Sequence, residues 1–227
     1  MHRPPRPAVL ATAALTVLSA ALLTLVVVEW RPLMALDRHI ARTTHRWAVG
    51  EHDLTHSVRI LTDWVRDPLT MRPTAAAAAL WLVWRRSAWR TALWPAVVCA
   101  LGTVVQQALK AAVGRPRPVW PDPVDSAPYA AFPSGHAMTA TVVCGLLLWL
   151  LHRFGAGRVL WRTALTVAVV SVVGVGLTRV WLGVHWVSDV VGGWLLGALV
   201  VAVAVVAYEC QWGDRPSSSA ALRRPLR

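Results

Sequence analysis

Residues 190–208 read Val190-Val-Gly-Gly-Trp-Leu-Leu-Gly-Ala-Leu-Val-Val-Ala-Val-Ala-Val-Val-Ala-Tyr208, nineteen residues without a charge. A helix that crosses the hydrocarbon core of a bilayer needs roughly 20 predominantly apolar residues. Similar uncharged runs cover residues 8–28, 91–109, 137–151 and 163–178, with 21, 19, 15 and 16 residues. The shorter runs reach spanning length when their polar ends sit in the interface. A weaker sixth candidate is 73–84, where Pro-Thr precedes five Ala and Leu-Trp-Leu-Val-Trp. Its extension towards residue 60 would bury Asp63, Arg66, Asp67 and Arg72, which is costly. The chain therefore reads as all-α: an integral membrane helical bundle of about six transmembrane helices.

Composition supports this. Of 227 residues, 56% are hydrophobic and 15% charged, against about 25% charged in soluble domains. Mean hydropathy is +0.49. A disordered chain, a nucleic-acid-binding tail protein and a soluble domain are excluded. The net charge of +12 fits loops against anionic lipid, with no nucleic acid partner. Cys99, Cys144 and Cys210 each lie in an apolar stretch without CxxC spacing, so neither a disulfide framework nor a zinc knuckle is indicated.

The first run has Arg3 and Arg6 in front and small residues around Ser19–Ala21, as a signal peptide would. Its apolar core exceeds the usual length of about 7–15, which favours a retained anchor. With the amino terminus inside, the inner segments hold 12 of the 23 basic residues, almost without acids. This implies a multi-pass protein of the plasma (cell inner) membrane. Tryptophans near the span ends, such as Trp30, Trp149 and Trp212, suit an aromatic belt. Within 33–48, Leu33, Leu36, Ile40 and Trp47 share one helical stripe, and Arg38, Arg42, His45 and Arg46 fall elsewhere. An interfacial amphipathic helix after the first span is expected; a helix packed on the bundle is the alternative. Residues 1–210 form one membrane-embedded domain in this reading. Residues 211–227 form a disordered, basic, cytoplasmic tail.

Three polar clusters interrupt the apolar background. Lys110-Ala-Ala-Val-Gly-Arg115-Pro-Arg117-Pro118 ends the third span, Phe132-Pro-Ser134-Gly135-His136 opens the fourth, and Thr178-Arg179 through His185 to Asp189 joins the fifth to the sixth. Alternating topology brings the three to one side of the membrane. Lys110, Arg117 and Arg179 are three cations whose convergence asks for a multiply charged anion, and guanidinium forks match phosphate oxygens. Backbone N–H groups at Ser134, Gly135 and His136, opening a helix, would add an anion site. Lys110 is the sole Lys among 23 basic residues, where a compact ammonium would be needed. His185 and Asp189, four apart, are helical neighbours, so the carboxylate would orient the imidazole as a nucleophile on phosphorus. His136 would then serve as general acid. Arg115 is expected at the surface, and Asp122, Asp125 and Tyr129 as solvated loop residues.

These residues closely resemble the three-part signature of the type-2 phosphatidic acid phosphatase superfamily, whose members include lipid phosphate phosphatases and haloperoxidase-like proteins. The matching positions are Lys110, Arg117 and Pro118; Pro133, Ser134, Gly135 and His136; and Arg179, His185 and Asp189, with Thr178 where Ser is usual. The resemblance covers most of the chain, its amino-terminal third by layout only. It implies a metal-independent hydrolase of the membrane branch, without cofactor, acting at the extracytoplasmic face. His185 would form a phosphohistidine, His136 would protonate the leaving group and Asp189 would orient His185. Lys110, Arg117, Ser134, Gly135 and Arg179 would hold the phosphate. Expected substrates are lipid phosphates or pyrophosphates: undecaprenyl pyrophosphate first, then phosphatidic acid and phosphatidylglycerol phosphate. No obligate protein partner is expected. Two rival readings are a non-enzymatic membrane anion-binding or transport protein and a phosphotransferase with an alcohol acceptor.

Overall fold

The computed structural model describes residues 6–60, 77 and 89–212. Among them are seven helices and no strand: α1 (Arg6–Val27), α2 (Arg31–Gly50), α3 (His52–Ile60), α4 (Trp89–Val113), α5 (Gly135–Arg153), α6 (Arg158–Trp181) and α7 (Val187–Trp212). Five are long and apolar enough to cross a membrane: α1, the Leu93–Val113 part of α4, α5, α6 and α7. The expected span at 73–84, residue 77 apart, lies outside the described residues, as does the expected tail beyond residue 212; its first two residues, Gln211 and Trp212, instead close α7.

The helices follow the apolar runs and stop where the chain supplies breakers. α1 ends just before Glu29, which has a positive φ of 51°, and Pro32 lies in the opening turn of α2. Threonine hydroxyls inside the first span satisfy themselves. The hydroxyls of Thr12, Thr16 and Thr24 donate to the carbonyls of Ala8, Thr12 and Ala20 at 2.9 Å. An unpaired hydroxyl in hydrocarbon would cost several kcal/mol, roughly 2–7, so this back-bonding lets Thr sit in a lipid-facing helix.

α5 is the centre of the bundle and packs against α4, α6 and most extensively α7. Its buried side chains include Ala137, Met138, Val142, Val143, Leu146 and Leu150. The close approach of α7 depends on small residues. A Cβ on Gly193 would stand 2.7 Å from the Ser134 carbonyl oxygen, and one on Gly197 2.9 Å from that of Met138. Either contact would push the helices apart and pull the start of α7 away from the start of α5.

α2 is a helix, as expected, but its buried face differs from the apolar stripe. Asp37, Ala41, His45 and Ala48 are buried, whereas of the stripe Leu36 and Trp47 are exposed and Leu33 and Ile40 half-buried, Ile40 against the core. α2 packs against α6 and α7 through this narrow face. Small side chains permit the approach, and the single acid of α2 is drawn in by partners that no local pattern reveals.

Candidate active site

The carboxy-terminal ends of α4 and α6 and the amino-terminal ends of α5 and α7 meet at one end of the bundle. Lys110 lies in the last turn of α4, is 8% exposed and donates from Nζ to the Ala130 carbonyl. Gly114 then turns the chain with φ 60° into Arg115-Pro-Arg117-Pro. The Arg117 fork lies across the loop that returns to α5. Its Nε donates to Tyr129 O at 2.9 Å, Nη2 to Pro128 O at 3.1 Å, and Nη1 to Val184 O at 2.7 Å.

Arg117 Nη1 also lies 3.1 Å from His185 Nε2. A guanidinium has no acceptor, so Nε2 accepts and Nδ1 carries the ring proton. Nδ1 faces Asp189 Oδ2 at 3.4 Å. Burial first, and then the charges of Arg117, Arg179 and Lys110, hold the His185 imidazole well below its ordinary range; a hydrogen bond with the Ala131 backbone opposes them. A neutral imidazole with its Nε2 lone pair among cations has the form that nucleophilic attack on phosphorus requires.

His185 is not within α7, as simple helical spacing supposes. It lies in the turn before it, reached through Leu182 and Gly183, the latter at φ 67°. A Cβ at Gly183 would also stand 2.6 Å from Trp120 Nε1. Asp189 is the third residue of α7, and its Oδ2 accepts from the Trp186 backbone N–H at 2.9 Å. This is the reach-back half of a capping box. One carboxylate thus caps α7 and faces the imidazole.

At the head of α5, Ser134 is fully buried. Its backbone N–H donates to Asp189 O at 2.9 Å. This corrects the expectation that all three N–H groups at 134–136 would serve an anion: the first is committed to α7. The N–H groups of Gly135 and His136 are in the first helical turn, where no i−4 acceptor exists within the helix. Ser134 Oγ is buried with no hydrogen-bond partner among the described residues. His136 lies within electrostatic range of Arg179, His185, Arg117 and Lys110. Arg179, in the last turn of α6, is 3% exposed. The structure thus brings together Lys110, Arg117, Ser134, Gly135, His136, Arg179, His185 and Asp189.

Two loop expectations are corrected. Arg115 is not at the surface but 8% exposed, with Nη1 2.6 Å from Asp189 Oδ1 and Nη2 2.8 Å from Asp37 Oδ2. A guanidinium between two buried carboxylates is held far more firmly than one snorkelling to a headgroup. Asp125 is not a freely solvated loop residue: its Oδ2 lies 3.7 Å from Arg179 Nη2, and its side chain is 15% exposed. Tyr129 is exposed, as expected.

Asp37 was missed by sequence reasoning. It accepts from Arg115, from the Ser188 backbone N–H at 3.0 Å and from the Ser188 hydroxyl. The available signal was that it is the single acid in residues 31–50, on a helix otherwise rich in Arg. Among the described residues, no three His, Cys, Asp or Glu side chains are placed to hold a metal ion.

Comparison with known proteins points the same way. The PAP2 superfamily pattern matches residues 91–212. Phosphatidylglycerophosphatase B of Bacillus subtilis is 34% identical over 99 residues, 43% of this chain and 48% of that protein. The decaprenylphosphoryl-5-phosphoribose phosphatase of Mycobacterium tuberculosis is 37% identical over 136 residues, 57% of this chain and 66% of the relative. An undecaprenyl-diphosphatase of Sulfolobus acidocaldarius is 32% identical over 75 residues, 33% of this chain and 32% of its own length. The matches thus span between about a third and two thirds of these relatives. In fold, the chain is similar to the crystal structure of a transmembrane PAP2-type phosphatidylglycerolphosphate phosphatase from Bacillus subtilis. The TM-score is 0.70 at 23% identity, over 90% of this chain and 98% of the other.

Proposed function

This chain belongs to the PAP2 superfamily, and from that premise we propose that it is a multi-pass membrane phosphatase that hydrolyses a lipid phosphate or diphosphate through a phosphohistidine. The observation that carries this reading is the neutral His185, its Nε2 turned to Arg117 among the charges of Arg117, Arg179 and Lys110.

In this mechanism the phosphoryl group sits among Lys110, Arg117 and Arg179, with the Ser134 hydroxyl and the N–H groups opening α5 as further donors. Nε2 of His185 attacks phosphorus, and the bond from phosphorus to the lipid-side oxygen breaks. His136 gives its proton to that oxygen. Asp189 stabilises the positive charge that develops on the imidazole. Water then attacks the phosphohistidine, His136 takes back a proton, the N–P bond breaks and inorganic phosphate leaves. Each fixed donor aimed at the transferring group contributes about 3 kcal/mol in comparable sites. The chemistry needs no metal, since the cations that neutralise the phosphoryl oxygens belong to the chain.

The distribution of Arg supports a site on the extracytoplasmic face. The lipid tail would lie between helices while the head enters from outside. The relatives are named for phosphatidylglycerophosphate, undecaprenyl diphosphate and decaprenylphosphoryl-5-phosphoribose; undecaprenyl pyrophosphate is the first substrate to try, followed by phosphatidic acid and phosphatidylglycerol phosphate.

The test is phosphate release by the detergent-purified protein with excess EDTA, beside His185→Ala. Release that resists EDTA and falls at least about a thousandfold in the variant is expected. Equal release by His185→Ala would sink the nucleophile assignment. Absence of release from all three lipids by folded protein would sink the phosphatase reading.

A further inference from the structure

We propose that Asp37 and Arg115 are positioning residues for His185: Asp37 holds one arm of the Arg115 guanidinium, so that Arg115 takes only one oxygen of Asp189 and leaves the other to the imidazole. The inference rests on the reading of His185 as nucleophile.

The division of partners is explicit. Arg115 Nη1 reaches Asp189 Oδ1 at 2.6 Å and Ser188 Oγ at 2.7 Å, while Nη2 reaches Asp37 Oδ2 at 2.8 Å. Asp189 Oδ2 is left to the Trp186 N–H at 2.9 Å and to His185 Nδ1 at 3.4 Å. Asp37 and Asp189 are 1% and 0% exposed, so neither carboxylate can exchange a partner for bulk water.

A guanidinium facing one carboxylate in a dry site prefers the two-pronged arrangement, with two parallel N–H···O bonds. Here the second prong is engaged by Asp37. Without the charge of Asp37, Arg115 is free to turn both prongs onto Asp189. Oδ2 is then drawn from the imidazole, and the Nδ1–H that fixes the nucleophilic tautomer loses its carboxylate.

Asp37 can hold this geometry because it is itself fixed. Its Oδ1 accepts from the Ser188 backbone N–H at 3.0 Å, which keys α2 to the first turn of α7. Docking alone does not explain the acid. The other buried residues on this face of α2 are Ala41, His45 and Ala48, none a carboxylate. A buried ion network is weak evidence for stability and better evidence for fixing one arrangement.

The experiment uses the full chain in detergent with dioctanoyl phosphatidic acid as probe, and imidazole 15N spectra as a readout that needs no turnover. In Asp37→Asn, kcat is expected to fall roughly 10- to 100-fold, the range seen when an outer group that orients a functional histidine is lost. KM should stay within about threefold, because Asp37 does not touch the phosphate site. The Nδ1–H signal of His185, assigned by its loss in His185→Gln, should shift or broaden. An unchanged kcat and unchanged signal in folded Asp37→Asn, with only a lower melting temperature, would reduce Asp37 to a docking residue and overturn the proposal. If Asp37→Asn does not fold, Asp37→Glu keeps the charge but displaces it by one methylene. It should show the same split at about fivefold; no split and no spectral change there would be equally fatal. If the wild type hydrolyses nothing, the phosphatase reading fails, and the spectra still decide whether Asp37 sets the His185 tautomer.

Discussion

The two ends of the α5–α7 pair both carry ions, in opposite settings. At the site end, Arg115 bridges Asp37 and Asp189 at 2.8 and 2.6 Å, with side chains 8%, 2% and 0% exposed. At the other end, Arg153 of α5 meets Glu209 of α7 at 3.4 Å, with side chains 21% and 34% exposed. That end is also tied by rings and hydroxyls. Tyr208 meets Trp149 edge-on at 4.9 Å between centroids, and its hydroxyl shares a 2.7 Å hydrogen bond with Thr91. The chemistry of the two ion pairs is similar; their surroundings are not. A pair near solvent loses its Coulomb energy to screening and is worth about 0–1 kcal/mol. A pair in a dry interior adds little net stability when whole, yet its breakage leaves a stranded charge and costs about 3–5 kcal/mol. One end therefore tolerates change, whereas the other demands one arrangement.

The contrast is tested most severely by Arg115→Ala, which strands two buried carboxylates. It should destabilise the folded protein by about 3–5 kcal/mol and abolish turnover, as read by thermal unfolding in detergent and by phosphate release. Asp189→Asn comes next. Arg115 keeps Asp37, so folding should survive, but the imidazole loses its carboxylate, and turnover should fall by at least about a hundredfold. Near-normal turnover in folded Asp189→Asn would remove the role assigned to that carboxylate.

A smaller effect follows from His185. Its pKa is lowered in the folded state, so below about pH 6.5 the unfolded chain binds a proton that the folded chain does not. Stability should therefore fall as pH drops below that value, by up to about 1.4 kcal/mol per unit. Melting temperatures between about pH 7 and pH 5 should show a steeper loss in wild type than in His185→Gln.

Asp125→Asn removes a carboxylate 3.7 Å from Arg179 that, in the proposed mechanism, would compete with phosphate. KM for a lipid phosphate should drop by about threefold with kcat unchanged, and product inhibition should strengthen similarly. Least of all, Arg153→Ala should cost about 0.5 kcal/mol. A cost there as large as that of Arg115→Ala would erase the distinction between the two ends.

Much of the molecule is legible one residue at a time. The uncharged runs mark the helices because a span must hide its backbone and carry no charge through hydrocarbon. The clusters at Lys110–Pro118, Phe132–His136 and Thr178–Asp189 stand out because ions are rare against that background. The reading fails where burial is decided by a partner distant in sequence. A lone Arg at a span end usually snorkels, which puts Arg115 at the surface; its two carboxylates are 78 and 74 residues away. The stripe of Leu33, Leu36, Ile40 and Trp47 does not reveal which face of α2 the bundle buries, since in a membrane protein apolar side chains gain as much from lipid as from the bundle.

By itself the sequence determined that this chain is a helical membrane protein with a cluster of basic and imidazole groups suited to phosphate, since hydropathy and the scarcity of charge are local properties. Only the tertiary structure decided that Asp37, on a helix outside the motifs, closes the ion network behind His185, and which oxygen of Asp189 faces the imidazole. Those are questions of which buried charges share a few ångströms, and such proximity is set by packing rather than by spacing along the chain.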